Sequence, residues 1–203
     1  MTEHGPPVPS LIPSPPMPSP LSRPAALAVL LALALPAARA ATAEAAAEAL
    51  LQPAAIVTDT PIATPAAAAR VLAARRYASF WNNGDPTLAR AALAPDFIDR
   101  TLPAGRAQGV DGPLQASKTM RRAIPDLRCQ IEQLIVAGDR AIVHLRFRGH
   151  FTGRFGDTQG RGQTIDFIAT DIYRIGRDRI DENWHIEDNL ALLKQLGVLG
   201  GSR

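Results

Sequence analysis

From Thr64 to the C-terminus the sequence predicts an α+β domain, and three observations carry that prediction. Apolar residues first recur at helical spacing and then, from Leu127 onward, alternate with period two. Three helical segments come before the run of strands, with one short helix after it, and Pro, Gly and Asn mark the changes. Helices first and antiparallel strands after them give a sheet with one face covered by helices. About 130 residues suffice for one core of that kind.

Each element has its own local cause. Thr64 followed by Pro65 is a helix start, because Thr satisfies free N–H groups and the fixed φ of Pro suits the first turn. The helix runs through "AAAARVLAARRYASFWNN" with Val71, Ala74, Ala78 and Trp81 on one face, and Asn83-Gly84 closes it. Asp85-Pro86 repeats the start signal for a short helix, "TLARAALA", which Pro95 ends. "DFIDRTL" is aromatic and β-branched and reads as a strand leading into the turn-rich "PAGRAQGVDGP". A third helix covers "LQASKTMRRAI" up to Pro125, with Leu114, Met120 and Ile124 on its buried face. "LRCQIEQLIVA" and "RAIVHLRFRGHF" form a hairpin around Gly138-Asp139. The glycine-rich loop "TGRFGDTQGRG" joins this hairpin to the strand "QTIDFIATDIYRI". A turn over Gly176 to Arg179 then leads to the last strand, "RIDENWHI", and to the helix "NLALLKQL".

The N-terminal part is of a different composition. Residues 1–24 hold nine prolines and offer no core. The run "AALAVLLALAL" (Ala25 to Leu35) is too short to span a bilayer, which takes roughly 20 residues. With Arg23 before it and small residues after it, residues 1–40 read as a signal peptide ending at Ala40, and a start at Met17 would give it ordinary length. An exported protein with no stable membrane anchor after cleavage is the expectation; the alternative is a Pro/Ala-rich tail on a cytoplasmic protein. Residues 41–64 form an Ala/Pro-rich linker with room for one weak helical stretch, and 65–203 form the domain.

Composition narrows the function classes. The single Cys129 cannot form an internal disulfide. His144, His150 and His185 are scattered with no metal-ligand spacing, so no metal site is expected. After residue 64 there are 20 Lys and Arg against 15 Asp and Glu, spread without a polybasic run, and no nucleic-acid partner is expected.

This order of elements, together with "RYASFWNNGD", "APDFIDRT", "ATDIYRIGRDRI" and "ENWHIEDNLALLKQLG", resembles the SnoaL-like polyketide or ester cyclases of the nuclear transport factor 2-like superfamily. The resemblance covers about Arg70 to Leu199 and implies a cone-shaped fold, a curved antiparallel sheet wrapped on the helices around an apolar pocket, and often a homodimer. It implies cofactor-independent acid/base chemistry on a small apolar carbonyl substrate, with the acid four residues after a tryptophan of the last strand. Asp188, after Trp184, holds that position. A single carboxylate in a dry pocket can take a proton from an activated carbon and return it to an oxygen, with a pKa raised by burial. Where family members carry histidines, this chain has Arg100 in "DRT" and Asn183 in "ENW". The ketosteroid isomerase of the same superfamily is also echoed: Tyr77 and Asp171 match its oxyanion donors, and Asp99 lies near the place of its base. A non-catalytic ligand- or partner-binding module is the third reading.

Alternation assigns the last strand's faces. Ile180, Glu182, Trp184, Ile186 and Asp188 share one face, and Asp181, Asn183, His185 and Glu187 share the other. The first set holds the large apolar residues, which places it inward. Asp188 is then the candidate catalytic residue, with Trp184, Tyr77, Trp81, Asp171 and Asp99 as substrate-binding candidates. Asp188 also stands where a helix cap belongs, and the two roles are compatible.

Overall fold

The computed structural model describes residues 49–199; the signal segment expected over residues 1–40 and the first part of the expected linker lie outside them. Among the described residues four helices and eight strands follow in order: β1 (Ile56–Thr58), α1 (Pro65–Asn83), α2 (Pro86–Ala92), β2 (Leu93–Asp99), α3 (Asp111–Ala123), β3 (Arg128–Ala137), β4 (Arg140–Phe151), β5 (Arg154–Phe155), β6 (Thr158–Gln159), β7 (Gln163–Ile175), β8 (Ile180–Glu187) and α4 (Asn189–Gln195).

The helix starts are the ones written in the sequence. Thr64 accepts from the N–H of Ala67, Asp85 accepts from the N–H of Thr87 at 2.8 Å, and Gly84 closes α1 with φ +77°, a left-handed conformation that a side chain would strain. The third helix begins at Asp111, earlier than the Leu114 expected, after a residue with no side-chain cap. α1 lays Ala73, Ala74, Tyr77, Ala78 and Phe80 against β3, β4 and β7. Three of these are alanines, so the helix backbone comes close to the sheet and leaves the aromatic rings to fill the space around it.

The main sheet has the order β1-β3-β4-β7-β8-β2. Its central pairs are antiparallel, as expected, whereas both edges are parallel: β1 against β3 and β2 against β8. β2 begins at Leu93 and contains Pro95, which the sequence reading took as the end of a helix. An edge strand tolerates a proline because one side of it needs no ladder hydrogen bond. The glycine-rich loop after β4 folds into the small hairpin β5–β6, a second sheet that no alternation announced.

Residues 50–58, expected in the linker, belong to the domain instead of to a helical linker stretch. Leu50 is buried, the N–H of Leu51 donates to Ser79 Oγ at 2.9 Å, and Ile56, Val57 and Thr58 extend the sheet beside β3. Three β-branched residues in an Ala/Pro-rich context suffice because β3 offers a ready edge.

Candidate active site

A cavity with about 910 Å³ of empty space, its open mouth included, lies between the helices and the sheet. One end is apolar, lined by Trp81, Met120, Leu127, Phe147 and Phe167; the other carries Asp99, Asp171, Asn183, His185 and Glu187. Aromatic contacts shape the apolar end. Phe147 stacks on Phe167 with ring centres 5.0 Å apart, and Trp81 meets Phe147 edge-on at 6.3 Å.

The polar end is built by register. Asp171 of β7 stands directly opposite His185 of β8, and Asp99 of β2 lies beside Asn183. The His185 ring sits between two carboxylates: Nε2 lies 3.0 Å from Asp99 Oδ2, and Nδ1 lies 2.7 Å from Glu187 Oε1. Two acceptors on two ring nitrogens favour the doubly protonated imidazolium. Burial works against that charge, but the hydrogen bonds and charges of Glu187 and Asp99 outweigh it and raise the His185 pKa to about 9. The same contact holds Glu187 below the usual carboxylate range despite its burial. Thr101 locks the assembly, since its N–H donates to Asp99 Oδ1 at 3.0 Å and its Oγ1 accepts from the N–H of His185 at 2.9 Å.

Asp171 behaves differently. It is 6% exposed, and burial raises its pKa to about 6 even though the Tyr173 hydroxyl donates to Oδ2 at 2.7 Å and the His185 charge is near. No arginine pairs with it among the described residues. Tyr77, 3% exposed, lines the same cavity; burial and the Asp171 charge push its phenol well above the ordinary range, so it stays protonated. The Trp81 indole N–H donates to the Tyr77 hydroxyl, whose own O–H has no acceptor among the described residues. Asn183 is 4% exposed, bonds Asp171, and leaves its Oδ1 without a hydrogen-bond partner.

Four of the six candidates from the sequence, Tyr77, Trp81, Asp99 and Asp171, therefore meet at one cavity. The other two do not. Asp188 is exposed and accepts from the N–H of Ala191 at 2.9 Å, a cap for α4, and Trp184 lies on the outer side of the sheet under the Arg140 guanidinium, 5.6 Å from the ring centre. The inward face of β8 is the one expected to face solvent: Asn183, His185 and Glu187. The cause is a bulge. Ile175 pairs with Ile180 but Arg174 pairs with Glu182, so β8 carries one extra residue at Asp181 and its parity inverts beyond that point. Arg174 fixes the bulge by reaching Asp181 at 2.8 Å and Glu182 at 2.7 Å. Ile180 before the bulge is buried, and Ile186 after it is 76% exposed.

Among the described residues no group of three or more His, Cys, Asp and Glu is placed to hold a metal ion, and no helix is long and apolar enough to cross a membrane.

Helices laid on one face of a curved sheet, with a cavity that is aromatic at one end and acidic at the other, define a small α+β protein of the nuclear transport factor 2-like fold. Residues 71–196 match the model of the SnoaL-like polyketide cyclase family, and the chain belongs to that family. A protein of Bacillus cereus ATCC 10987, provisionally described as a polyketide cyclase, is 36% identical; the alignment covers 75% of this chain and 96% of that one, with a TM-score of 0.68. IdmH of Streptomyces antibioticus, under the same provisional description, is 24% identical over 62% of this chain and 96% of its own, with a TM-score of 0.56. TsrD of Streptomyces laurentii is likewise 24% identical, over 65% and 97%, with a TM-score of 0.59. Among curated proteins no match was found. The two Streptomyces proteins are similar in fold.

Proposed function

We propose that the cavity carries out cofactor-independent proton transfer on a small, largely apolar carbonyl compound, with Asp171 as the base and Tyr77 as the donor to the developing oxyanion. One observation supports this most: a buried carboxylate with a pKa of about 6 and a phenol with an unengaged O–H line the same cavity. At neutral pH Asp171 is mostly ionised, close enough to the working range to take a proton from a carbon next to a carbonyl. The enolate oxygen formed then receives the Tyr77 O–H and lies in the field of the His185 cation. In a ring closure the enolate carbon would attack a second carbonyl of the same molecule, and the proton on Asp171 would pass to the new alkoxide.

The isomerase-like reading needs Asp171 protonated so that it can donate alongside Tyr77. A pKa of about 6 leaves the protonated form in the minority at pH 7, so the base assignment is favoured.

The test is deuterium exchange at the α-carbons of a panel of small ketones and diketones in D2O, followed by NMR, with turnover as a second readout. The native chain is expected to exchange at least one panel member. Asp171→Asn is expected to slow that exchange by about 10²- to 10⁴-fold, the usual contribution of a positioned base. Exchange that survives Asp171→Asn unchanged, or is lost on Asp188→Asn, would overturn the assignment.

A further inference from the structure

Arg106 lines the cavity from the loop between β2 and α3, on the side where Pro103 and Pro113 also contribute to the wall. Its position is set by its surroundings. The Arg106 N–H donates to Pro103 O at 3.1 Å, and Gln108 ties the loop to β2 through the N–H and C=O of Asp99 at 2.7 and 3.0 Å. Its Cγ lies so near Gly112 that a β-carbon there would sit 3.3 Å away, and the same β-carbon would strike Ala107 O. The absence of a side chain at Gly112 is therefore what lets the arginine stem cross the start of α3.

The guanidinium itself has no hydrogen bond and no ion pair with any described residue. That is unlike Arg100, Arg146, Arg148 and Arg174, each of which meets a carboxylate at 3.2 Å or less. Glu187, whose carboxylate feels the Arg106 charge, is already engaged by His185. Five N–H donors in a planar fork thus face the cavity mouth with nothing among the described residues to receive them.

We propose that Arg106 is a binding residue for a carboxylate on the ligand, so that the natural ligand is a carbonyl compound with a free carboxylate and an apolar body between the two groups. This rests on the cavity being a ligand site, as in the function proposed above, but not on any catalytic step. The carboxylate would lie at the mouth on the Arg106 fork and the apolar body against Trp81, Phe147 and Phe167, leaving the carbonyl within the acidic end near Tyr77 and Asp171.

The probes are 2-naphthoate, methyl 2-naphthoate and 2-naphthamide, titrated calorimetrically into the full chain at fixed salt. The carboxylate is expected to bind about tenfold more tightly than the ester and the amide, the contribution of a charge-assisted hydrogen bond at a partly exposed site. Arg106→Gln is expected to remove that advantage, and Arg106→Lys to retain part of it, since the charge remains but the fork is lost. Equal binding of acid and ester by the native chain, an advantage that survives Arg106→Gln, or no binding of any of the three at millimolar concentration would overturn the proposal. Loss of α-carbon exchange in Asp171→Asn bears only on the base, so the two readings fail separately.

Discussion

Replacing Asp171 by Asn should make the protein more stable at pH 8 while removing its proposed base. The folded chain holds the Asp171 carboxyl at about 6 against an ordinary 3.8. Between those two pH values the folded state keeps a proton that the unfolded chain has released, so stability falls as pH rises from about 4 to 6 and stays lower above. At about 1.4 kcal/mol per pH unit the difference comes to about 3 kcal/mol, with no discount for screening because the side chain is buried. Asn has the same shape and still offers an oxygen to the Tyr173 hydroxyl, but it never ionises. Urea unfolding followed by tryptophan fluorescence at pH 4, 5, 6, 7 and 8 measures the effect, and the other titrating groups cancel to first order in the difference between variant and native chain. The variant is expected to gain on the native protein from pH 4 to pH 6 and to hold a lead of up to about 3 kcal/mol beyond. A difference that does not change with pH, or a variant less stable than the native chain at pH 8, would refute the reasoning.

His185 acts in the same direction but in a higher window. Its folded pKa of about 9 lies above the ordinary 6.5, so the stability it contributes is complete below pH 6.5 and is lost as pH rises through 9, about 3 kcal/mol in all; in His185→Gln the same urea series, extended to pH 10, should be nearly flat over that range. Asp188→Ala should lower stability by about 1 kcal/mol through loss of the cap on α4 and leave α-carbon exchange intact, while Asp188→Asn, another good cap, should change neither melting temperature nor exchange appreciably.

Much of the fold is legible in the sequence because its signals are local. Thr64-Pro65, Asp85-Pro86 and Asn83-Gly84 each satisfy backbone groups within a few residues, and each marks its helix end where the structure has it. The alternation of β4 is equally local: Val143, Leu145 and Phe147 are buried, while Arg146 and Arg148 face outward to Glu132 and Asp166. What depends on a distant partner is not legible. β1 exists because β3 has an open edge, and Pro95 is tolerated because β2 is an edge, neither of which is stated by the residues themselves.

The site divides in the same way. Tyr77, Trp81 and Asp171 lie on unbroken stretches of helix or strand and Asp99 on the regular end of β2, and periodicity or resemblance picks out these four residues, which the structure brings to the cavity. His185, Glu187 and Asn183 lie beyond Asp181, and counting by twos assigns them to solvent. A clue was present in the charge pattern: Asp181 and Glu182 adjacent on one strand, with Arg174 opposite, is an arrangement in which one cation can hold two neighbouring carboxylates only if the strand bends. Ile186 was the strongest argument for the wrong face, and it is the apolar residue the fold leaves most exposed.

That bend has an evolutionary side. Because a single extra residue at Asp181 decides which half of β8 faces the cavity, regular pairing through Asp181 with no residue lost would exchange the whole wall at a stroke: Trp184 and Ile186 would turn inward, and His185 and Glu187 would turn out. Descendants of one ancestral gene that keep or lose the bulge would in this way differ in chemistry while keeping every helix, every strand and the length of β8.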